Sequence, residues 1–437
     1  MTPAARIQAG IELWAEVEAH PDVPADRVAE AFFKSRRYVG ASDRRAIADR
    51  LWAMLRAAPR LAWHLAAIGA PSSPRLMMLA ELTLAEGMGA DAAAGLFSGA
   101  RHGPEPLSEA ERRVLRHLAA RRLDDPAMPE AVRLGVPAWL LPSLAARFGS
   151  ALAEELAALD RPAPTDLRVN TLKITREAAR DTLAAEGIAT EPTPFSPWGL
   201  RAPSRAPITA TRAFREGLVE IQDEGSQLVS AMVDARPGMR VCDFCAGAGG
   251  KTLALAAMMA NRGTIIAADV SAHRLQAAVR RLRRAGVSNV ERRTIAPGEK
   301  WIKRARGSFD RVLVDAPCTG TGTWRRKPDA RLRLTRGDLD ELLLRQREIL
   351  DRASTLVKPG GVLVYATCSV LEEENEAQVQ SFLQRNPRFT LLPLAQLRRR
   401  AELDVLPGDG AFLALTPARH GTDGFFAAAL LRQETAA

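Results

Sequence analysis

Residues 240–252 read Arg-Val-Cys-Asp-Phe-Cys-Ala-Gly-Ala-Gly-Gly-Lys-Thr, a short apolar run followed by a glycine-rich turn. The run from Arg240 to Phe244 is typical of a buried strand, and the residues after the turn open a helix. Small residues let a ligand approach the backbone closely, and the amides at a helix N-terminus bind polar groups. This stretch therefore predicts a strand, a ligand-binding turn and a helix, in that order.

The same alternation continues toward the C-terminus. Three further apolar runs are typical of buried strands, at Thr264 to Asp269, Phe309 to Asp315 and Gly361 to Thr367. Between the last two, Asp338 to Leu356 has the apolar spacing of a long helix. Strands that alternate with helices in this way form a doubly wound parallel sheet. We therefore predict an α/β fold, with a Rossmann-like domain over residues 222–437.

The N-terminal part of the chain has a different character. Residues 1–149 are rich in Ala, Leu and Arg, and their apolar residues recur at helical spacing, which predicts an all-helical domain. Residues 150–221 mix strand-like pieces, such as Leu167 to Asn170, with a helix near Arg176 to Glu186, and they predict a small α+β domain. A chain of 437 residues is too long for a single core, which agrees with three domains.

The charge of the chain favours a polyanionic partner. Lys and Arg number 61 against 51 Asp and Glu, which gives a formal net charge of +10. The charge is clustered, because residues 280–306 hold ten Lys and Arg and residues 325–336 hold six more. Basic clusters neutralise nucleic-acid phosphates, although such a run also fits a solvated helix face. Of the two runs, Arg325 to Lys327 is the better candidate for phosphate contacts, since it follows the loop that contains Cys318.

The number of cysteines and the lengths of the apolar runs indicate the cellular compartment of the protein. The chain has four cysteines, too few for a disulfide scaffold of this length. Cys242 and Cys245 form a Cys-x-x-Cys without a second Cys/His pair nearby, so we predict no metal site. No apolar run has the length of a signal-peptide core or a membrane span. We therefore predict reduced thiols, a cytoplasmic location and no membrane partner.

Two cofactors compete for the glycine-rich turn. The Walker A pattern requires Gly-x-x-x-x-Gly-Lys-Ser/Thr, and Gly250-Lys251-Thr252 matches its end, but Cys245 occupies the first glycine position. Asp269 ends the next predicted strand, nineteen positions after Gly250, where a carboxylate usually binds ribose hydroxyls. Asp243 before the turn and Asp269 after it suit a nucleoside. We therefore predict S-adenosylmethionine rather than ATP.

Two thiols follow neighbouring predicted strands. Cys318 lies in Asp315-Ala316-Pro317-Cys318, and Cys368 lies in Tyr365-Ala366-Thr367-Cys368-Ser369. Because the ends of parallel strands meet at one edge of a sheet, we expect both thiols and Asp315 at a single rim. A thiolate that adds to carbon 6 of cytosine lets carbon 5 accept a methyl group, and a carboxyl group on the ring nitrogen edge assists. Packing as a small hydrophobe, the usual role of cysteine, fits Cys242 but not this pair.

Several motifs give the chain a family resemblance. They are the turn at 243–252, Asp-Ala-Pro-Cys-Thr-Gly-Thr-Gly (315–322), Arg-Arg-Lys-Pro-Asp (325–329), Ala-Thr-Cys-Ser-Val (366–370), Leu-Arg-Val-Asn (167–170), Asp-Glu-Gly-Ser-Gln (223–227) and Asp-Gly-Phe-Phe (423–426). Through them the chain resembles the Sun/RsmB family of RNA cytosine-5 methyltransferases, from about residue 136 to the end. The N-terminal stretch is similar to the family's NusB-like helical RNA-binding domain, with Arg37 to Arg45 the best local match.

The resemblance implies roles for individual residues. Cys368 is the nucleophile, Cys318 helps to release the product, Asp315 contacts the cytosine edge, and Lys251 also faces the substrate. The residues implied to hold S-adenosylmethionine are Cys245, Ala246, Gly247, Ala248, Gly249, Gly250, Lys251, Asp269, Arg274 and Asp315. The implied substrate is RNA, in particular 16S ribosomal RNA. The same chemistry on tRNA, and a non-catalytic RNA-binding role in ribosome assembly, stay open as alternatives.

The chain departs from the family pattern in two places. The family usually has Ala-Ala-Pro-Gly-Gly in the turn, where this chain has Ala246-Gly247-Ala248-Gly249-Gly250, and loss of the proline loosens the turn. The family also carries an Asp after the third strand that reaches the adenine side of the cofactor. Here Thr294 is nearest that place, so we expect weaker binding of the methyl donor.

Overall fold

The structure is a computed structural model that describes residues 1–203, 206–296, 300–401 and 406–434. It divides into two compact units, each described here by itself. The first contains Met1–Ala145 together with Lys327–Thr335, and the second contains Ala146–Arg326 together with Arg336–Ala437. The predicted domain boundaries near residues 149 and 221 stay a prediction, because this division does not test them.

The first unit is helical, as its composition predicts. Its helices are Pro3–Ala19, Ala25–Ser35, Ala41–Ala67, Pro74–Ala80, Ala90–Gly95, Glu109–Ala119, Glu130–Arg133 and Pro328–Arg333, with a π-helical turn at Glu81–Ala85 and a 3-10 turn at Ala138–Leu140. Several of these helices begin at a residue with a side chain that accepts a hydrogen bond from a free backbone N–H group. Ser108 and Glu111, for example, form a capping box that satisfies two such N–H groups. Apolar side chains at helical spacing, including the fully buried Leu13, Met54 and Leu61, form one core.

One short helix of the first unit corrects a prediction. Pro328–Arg333 lies within the basic run 325–336, yet Arg331 is only 2% exposed and donates a 2.6 Å hydrogen bond to the Arg56 carbonyl. Asp329 accepts a 3.1 Å hydrogen bond from the backbone N–H of Ala25. The prediction of phosphate contacts along this run is therefore wrong at Arg331, because this helix serves packing.

Strands and further helices build the second unit. The strands, numbered in chain order, are β1 (Thr165–Val169), β2 (Glu191–Pro192), β3 (Gly199–Ala202), β4 (Val219–Ile221), β5 (Arg240–Asp243), β6 (Thr264–Asp269), β7 (Val290–Thr294), β8 (Phe309–Asp315), β9 (Val357–Thr367), β10 (Phe389–Leu392), β11 (Leu413–Leu415) and β12 (Phe425–Arg432). The helices are Leu152–Asp160, Arg176–Ala185, Arg212–Arg215, Glu224–Met232, Gly250–Met258, Ala272–Ala285, Lys300–Arg304, Arg336–Ser354, Glu376–Arg385, Leu394–Ala401 and Pro417–His420, and Leu141–Phe148 contains the point of division.

The strands form two sheets. The small sheet has the order β2-β3-β1-β4 and is antiparallel. Asn170, just after β1, donates 2.8 Å hydrogen bonds to the carbonyls of Gly217 and Ala285. Ala285 ends the helix that follows β6, so this side chain ties the small sheet to the helical layer of the large one.

The large sheet has the order β10-β12-β9-β8-β5-β6-β7, and β11 pairs with β12. Strands β5 to β9 run parallel, whereas β12 is antiparallel to β9 and to β10. Successive side chains of β8 point to opposite faces: Val312 and Val314 enter one apolar cluster and Leu313 enters another. Helices cover both faces, which confirms the predicted doubly wound, Rossmann-like α/β fold.

Strand β9 begins earlier than its sequence indicates. We predict a start at Gly361, but pairing with β8 begins at Val357, which lies opposite Phe309. The register then shifts, so that Arg311 lies opposite Val362. The intervening Pro359-Gly360-Gly361 looks like a turn by composition, yet it is accommodated within the strand as an irregularity.

No helix within the described ranges is both long and apolar enough to cross a membrane.

Candidate active site

The carboxyl ends of β5 and β8 lie side by side. Asp243 and Asp315 are the last residues of these two strands, which are parallel neighbours. The chain leaves β5 toward β6 on one side, whereas β8 and β9 lie on the other side, so the direction of winding reverses here. Ligands of open α/β sheets bind outside the strand ends at such a reversal.

The glycine-rich turn crosses this point in a fixed conformation. Backbone N–H groups of Phe244 and Ala246 donate to the carbonyls of Leu313 (2.8 Å) and Ala268 (3.0 Å), on the two neighbouring strands. Gly247 has a φ of +54°, and a Cβ atom there would lie 2.5 Å from a guanidinium nitrogen of Arg274. Glycine is therefore favoured at this position by its backbone conformation, whereas the exposed Arg274 side chain can move to make space.

Asp269, at the end of β6, faces the turn. The side chain is buried, and its two oxygens accept 2.8 Å hydrogen bonds from the backbone N–H groups of Gly247 and Ser271. A guanidinium nitrogen of Arg274 lies 3.6 Å from the same carboxylate. These contacts fix the orientation of the carboxylate beside the turn, where the sequence predicts ribose binding.

Asp243 is a buried carboxyl group with one oxygen that accepts no hydrogen bond within the described residues. One oxygen accepts a 2.7 Å hydrogen bond from the Thr252 hydroxyl, and the other, Oδ1, has no hydrogen-bond partner in the described part of the chain. Burial raises the pKa of Asp243 to about 7, although the Thr252 hydrogen bond opposes that rise. A buried acceptor without a donor at a predicted ligand site suits a polar group of a ligand.

This shifted carboxyl predicts a dependence of stability on pH. The pKa of Asp243 rises from an ordinary 3.8 to about 7 on folding, so between those values the folded chain keeps a proton that the unfolded chain releases. The free energy of unfolding therefore falls as pH rises through this window, by up to about 4 kcal/mol. Asp243→Asn stays neutral, so we expect urea denaturation at pH 5 and pH 8 to show a smaller loss in this variant. Parallel losses in both proteins would contradict the shift.

Lys251 and Asp315 form a second feature of the site. Lys251 Nζ donates a 2.6 Å hydrogen bond to Asp315 Oδ2, and the ammonium lies 5.5 Å from the centre of the Phe425 ring. Burial alone lowers the pKa of Lys251, but the Asp315 charge and hydrogen bond, with the charge of Cys368, raise it overall. The lysine is thus held as a cation, next to a carboxylate that is partly exposed at the rim.

The two predicted thiols meet. Cys318 Sγ lies 3.5 Å from Cys368 Sγ, and both residues are half-buried. The pKa of Cys318 is raised well above its usual value, first by the hydrogen bond with Cys368, then by burial and the charges of Cys368 and Glu374. Cys318 is therefore held as a thiol. Cys368 is half-buried and faces Cys318, so it is neither turned away from the 315–318 segment nor sealed in the core.

A close backbone contact holds these loops together. The N–H of Gly322 donates to the carbonyl of Cys368 (3.0 Å), and the N–H of Gly424 donates to the carbonyl of Gly322 (2.8 Å). A Cβ atom on Gly322 would lie only 2.2 Å from the Gly424 carbonyl oxygen, so glycine is needed for this approach. The segments that follow β8 and β9 and the start of β12 are thereby joined.

Arg325 and Arg326 belong to a buried ion network. Arg325 is 5% exposed; both guanidinium groups donate to Asp423, and they reach Asp223 at 3.3 and 2.9 Å. The prediction that Arg325 to Lys327 binds phosphates is therefore wrong at Arg325, and Arg326 has its donors committed internally. Trp324, beside them, is 1% exposed and packs in the interior.

The structure thus brings together Cys318 with Cys368, Lys251 with Asp315, and Asp269 with Gly247 and Arg274. Cys245 and Ala246 to Gly250 form the turn itself, and Cys242 packs inside β5.

Sequence reasoning missed Glu374 and Gln346, which hydrogen bond to each other and to the Cys318 loop. The acidic run Glu372-Glu373-Glu374, which begins four residues after Cys368, is a usable signal for the first of them. Gln346, inside a helix, gives no such signal. Across the described ranges no cluster of three or more His, Cys, Asp or Glu is arranged for a metal.

Comparison with known families adds to this geometry. A family model described as 16S rRNA methyltransferase RsmB/F matches residues 230–431. A second, described as the ferredoxin-like domain of RsmF/B-like methyltransferases, matches residues 136–209. The first match contains the large sheet with the turn and both thiols, and the second contains much of the small sheet.

Individual relatives agree. The probable ribosomal RNA small subunit methyltransferase B of Bacillus subtilis is 34% identical over 307 residues, covering 70% of this chain and 68% of the relative. The ribosomal RNA small subunit methyltransferase B of Salmonella arizonae is 35% identical, covering 68% of this chain and 66% of the relative. Among solved structures, PH0851 is 27% identical with a TM-score of 0.79, covering 100% of this chain and 99% of its own. A methyltransferase homolog from Pyrococcus horikoshii is 32% identical with a TM-score of 0.60, covering 70% and 99%.

The strand order and the turn define a Rossmann-like methyltransferase. The chain belongs to the 16S rRNA methyltransferase RsmB/F family. Its cofactor is S-adenosylmethionine, which confirms the choice of that cofactor over ATP. The site fits this cofactor for two reasons. Gly247 places no side chain in the turn, and the buried Oδ1 of Asp243 can accept a hydrogen bond from a ligand.

Proposed function

We propose that this chain methylates carbon 5 of cytosine in RNA and that Cys368 is its nucleophile. The observation that carries the proposal is the 3.5 Å approach of Cys318 Sγ and Cys368 Sγ at the sheet edge that also holds Asp315. Two thiols at one site exceed what methylation of an oxygen or an amine needs, because those atoms are nucleophilic without help. Membership of a 16S rRNA methyltransferase family supports ribosomal RNA of the small subunit as the substrate.

The proposed reaction begins with addition of a sulfur atom. The Cys368 thiolate bonds to carbon 6 of the cytosine, the carbon 5–carbon 6 double bond opens, and its electron pair makes carbon 5 nucleophilic. The Asp315 carboxylate accepts a hydrogen bond from the amino group at the ring nitrogen edge of the cytosine. The Lys251 ammonium, paired with Asp315 at 2.6 Å, offsets the negative charge that develops on the ring. Bound S-adenosylmethionine would supply the methyl group to carbon 5, and the electron pair of its broken sulfur–methyl bond would stay on the cofactor's sulfur.

Product release reverses the addition. The proton on carbon 5 passes to water, its bonding pair restores the double bond, and the pair of the sulfur–carbon bond returns to Cys368 as a thiolate. Cys318, held as a thiol 3.5 Å away, donates a hydrogen bond to the departing sulfur. Each bond that forms in the first step thus breaks in the last, and the enzyme is regenerated unchanged.

We assign the cofactor to the turn and its surroundings. Asp269 binds the ribose hydroxyls, the segment from Cys245 to Lys251 lies along the cofactor, and Arg274 and Asp315 border it. The fixed carboxylate of Asp269 and the glycine conformation at Gly247 support this assignment. Bases must leave any stack to reach a thiol, and exposed basic side chains of the second unit, such as Arg280, can bind the RNA phosphates.

The test uses RNA from cells that lack the protein. Incubation with the purified chain and labelled S-adenosylmethionine should label ribosomal RNA of the small subunit, and bisulfite sequencing should find 5-methylcytosine at a discrete position. Label in tRNA alone would favour the tRNA alternative. A lack of label in either RNA, with intact folding, would favour the non-catalytic RNA-binding alternative.

The departure at Thr294 makes a separate prediction. Thr294 ends β7 directly opposite Asp269 on β6, and its side chain is exposed. Thr294→Asp supplies the acceptor that the family usually places on the adenine side, so we expect S-adenosylmethionine to bind up to about tenfold more tightly, or ~1.4 kcal/mol. Isothermal titration measures the change, and Thr294→Asn separates charge from hydrogen bonding. Unchanged affinity in both variants would contradict the prediction.

A further inference from the structure

A buried carboxylate next to the thiol pair has no part in the chemistry proposed above. Glu374 lies at the end of a 3-10 turn, Glu372–Glu374, and its side chain is 0% exposed. Its hydrogen-bond donors are neutral: the backbone N–H of Thr319 (2.9 Å), the Thr319 hydroxyl, and the amide of Gln346 (2.9 Å). Burial of a carboxylate among neutral donors is costly unless the hydrogen bonds are well formed.

These donors lie on both sides of Cys318. Thr319 follows Cys318 in the chain and is held by Glu374 through backbone and side chain together. Gln346, itself fully buried, donates to Glu374 and also to the carbonyl of Pro317 at 3.0 Å, and Pro317 precedes Cys318. The pair of Glu374 and Gln346 thus fixes the backbone immediately before and after the thiol.

The position of Glu374 is in turn fixed to the strand that carries Cys368. The hydroxyl of Tyr365, in β9, donates a 2.6 Å hydrogen bond to the Glu374 carbonyl. The next residue, Asn375, donates at 2.9 Å to the carbonyl of Ser369, which follows Cys368. Both thiols are therefore held by one hydrogen-bonded set with Glu374 at its centre.

The negative charge of Glu374 also favours the thiol form of Cys318, in addition to fixing its position. It contributes to the raised pKa of Cys318, after the hydrogen bond with Cys368, burial and the charge of Cys368. A thiol at this position can donate to a leaving sulfur, whereas a thiolate cannot.

We propose that Glu374 is a positioning residue for product release: through Thr319 and Gln346 it holds the Cys318 thiol within hydrogen-bond reach of Cys368. This inference rests on the proposed function. Loss of the clamp should slow cleavage of the bond between the Cys368 sulfur and carbon 6, because the departing thiolate loses its donor. The earlier addition and methyl transfer depend on Cys368 and should proceed.

The test is Glu374→Gln with Glu372→Gln as its matched control. The amide oxygen still accepts from the Thr319 N–H and from Gln346, but an NH₂ group replaces the oxygen that accepts from the Thr319 hydroxyl, and the negative charge is lost. Both changes weaken the clamp. We expect methyl incorporation in the first turnover within about twofold of the wild type and steady-state turnover lower by ~10- to 100-fold. The covalent protein–RNA adduct on a denaturing gel should rise in parallel. Glu372 is exposed on the same turn, so its variant should match the wild type.

Normal turnover and a normal adduct level in folded Glu374→Gln would overturn the inference. If that variant does not fold, Gln346→Met removes the link between Glu374 and Pro317 and leaves both Thr319 contacts of Glu374 in place. Normal release in that variant would overturn the inference equally. The proposed function fails separately, through normal methylation by Cys368→Ala or through absence of any adduct in Cys318→Ala, whatever Glu374→Gln does.

Discussion

Cys368→Ala should lose methyl transfer to RNA by at least about 10⁴-fold, because removal of a nucleophile leaves only binding and orientation to assist the reaction. The variant should still bind S-adenosylmethionine, since the turn and Asp269 lie on other strands. Methyl incorporation from labelled donor measures the first effect, and titration calorimetry measures the second.

A matched control separates chemistry from packing. Cys242→Ala removes a sulfur atom that is fully buried in β5 and belongs to the apolar core. It should lower the free energy of unfolding by about 1 kcal/mol and leave methyl transfer intact. Undiminished turnover in Cys368→Ala would refute the nucleophile assignment, and an equal loss in both variants would point to a general loss of folding.

The sequence predicts the parallel strands of the large sheet well, for a physical reason. Strands buried on both faces are continuous apolar runs, so β6 and β8 begin and end where expected. Strand β7 lacks this signal, because Arg292 and Arg293 are exposed at the sheet edge. Strand β12 is also a continuous apolar run, but its three alanines fit a helix equally well, and only pairing with the distant β9 and β10 makes it a strand.

The site shows the same limit. Both thiols could be placed at one rim, because each follows a predicted parallel strand. Arg325 could not be judged from its neighbours, since its partners Asp223 and Asp423 lie about a hundred residues away on either side. A run of basic residues indicates a basic surface only when no carboxylates from distant parts of the chain pair with it. Local sequence patterns do not reveal such long-range ion pairs.

The second large effect is expected from Cys318→Ala. Without the thiol donor 3.5 Å from Cys368, the departing sulfur is unassisted, so release should slow by about 10²-fold or more. Because addition and methyl transfer precede release, a methylated covalent protein–RNA adduct should accumulate. Denaturing gels of reactions with labelled RNA measure it, and digestion of the adduct should yield Cys368 bonded to 5-methylcytosine.

The double variant Cys318→Ala/Cys368→Ala isolates the cause of that adduct. It should form none, because the sulfur that bonds to carbon 6 is gone while every other contact is as in the single variant. An adduct in the double variant would move the nucleophile elsewhere, with the half-buried Cys245 as the remaining thiol near the turn. Fast release in Cys318→Ala would instead show that the departing thiolate needs no donor, which would remove the reason for two sulfur atoms at this edge of the sheet.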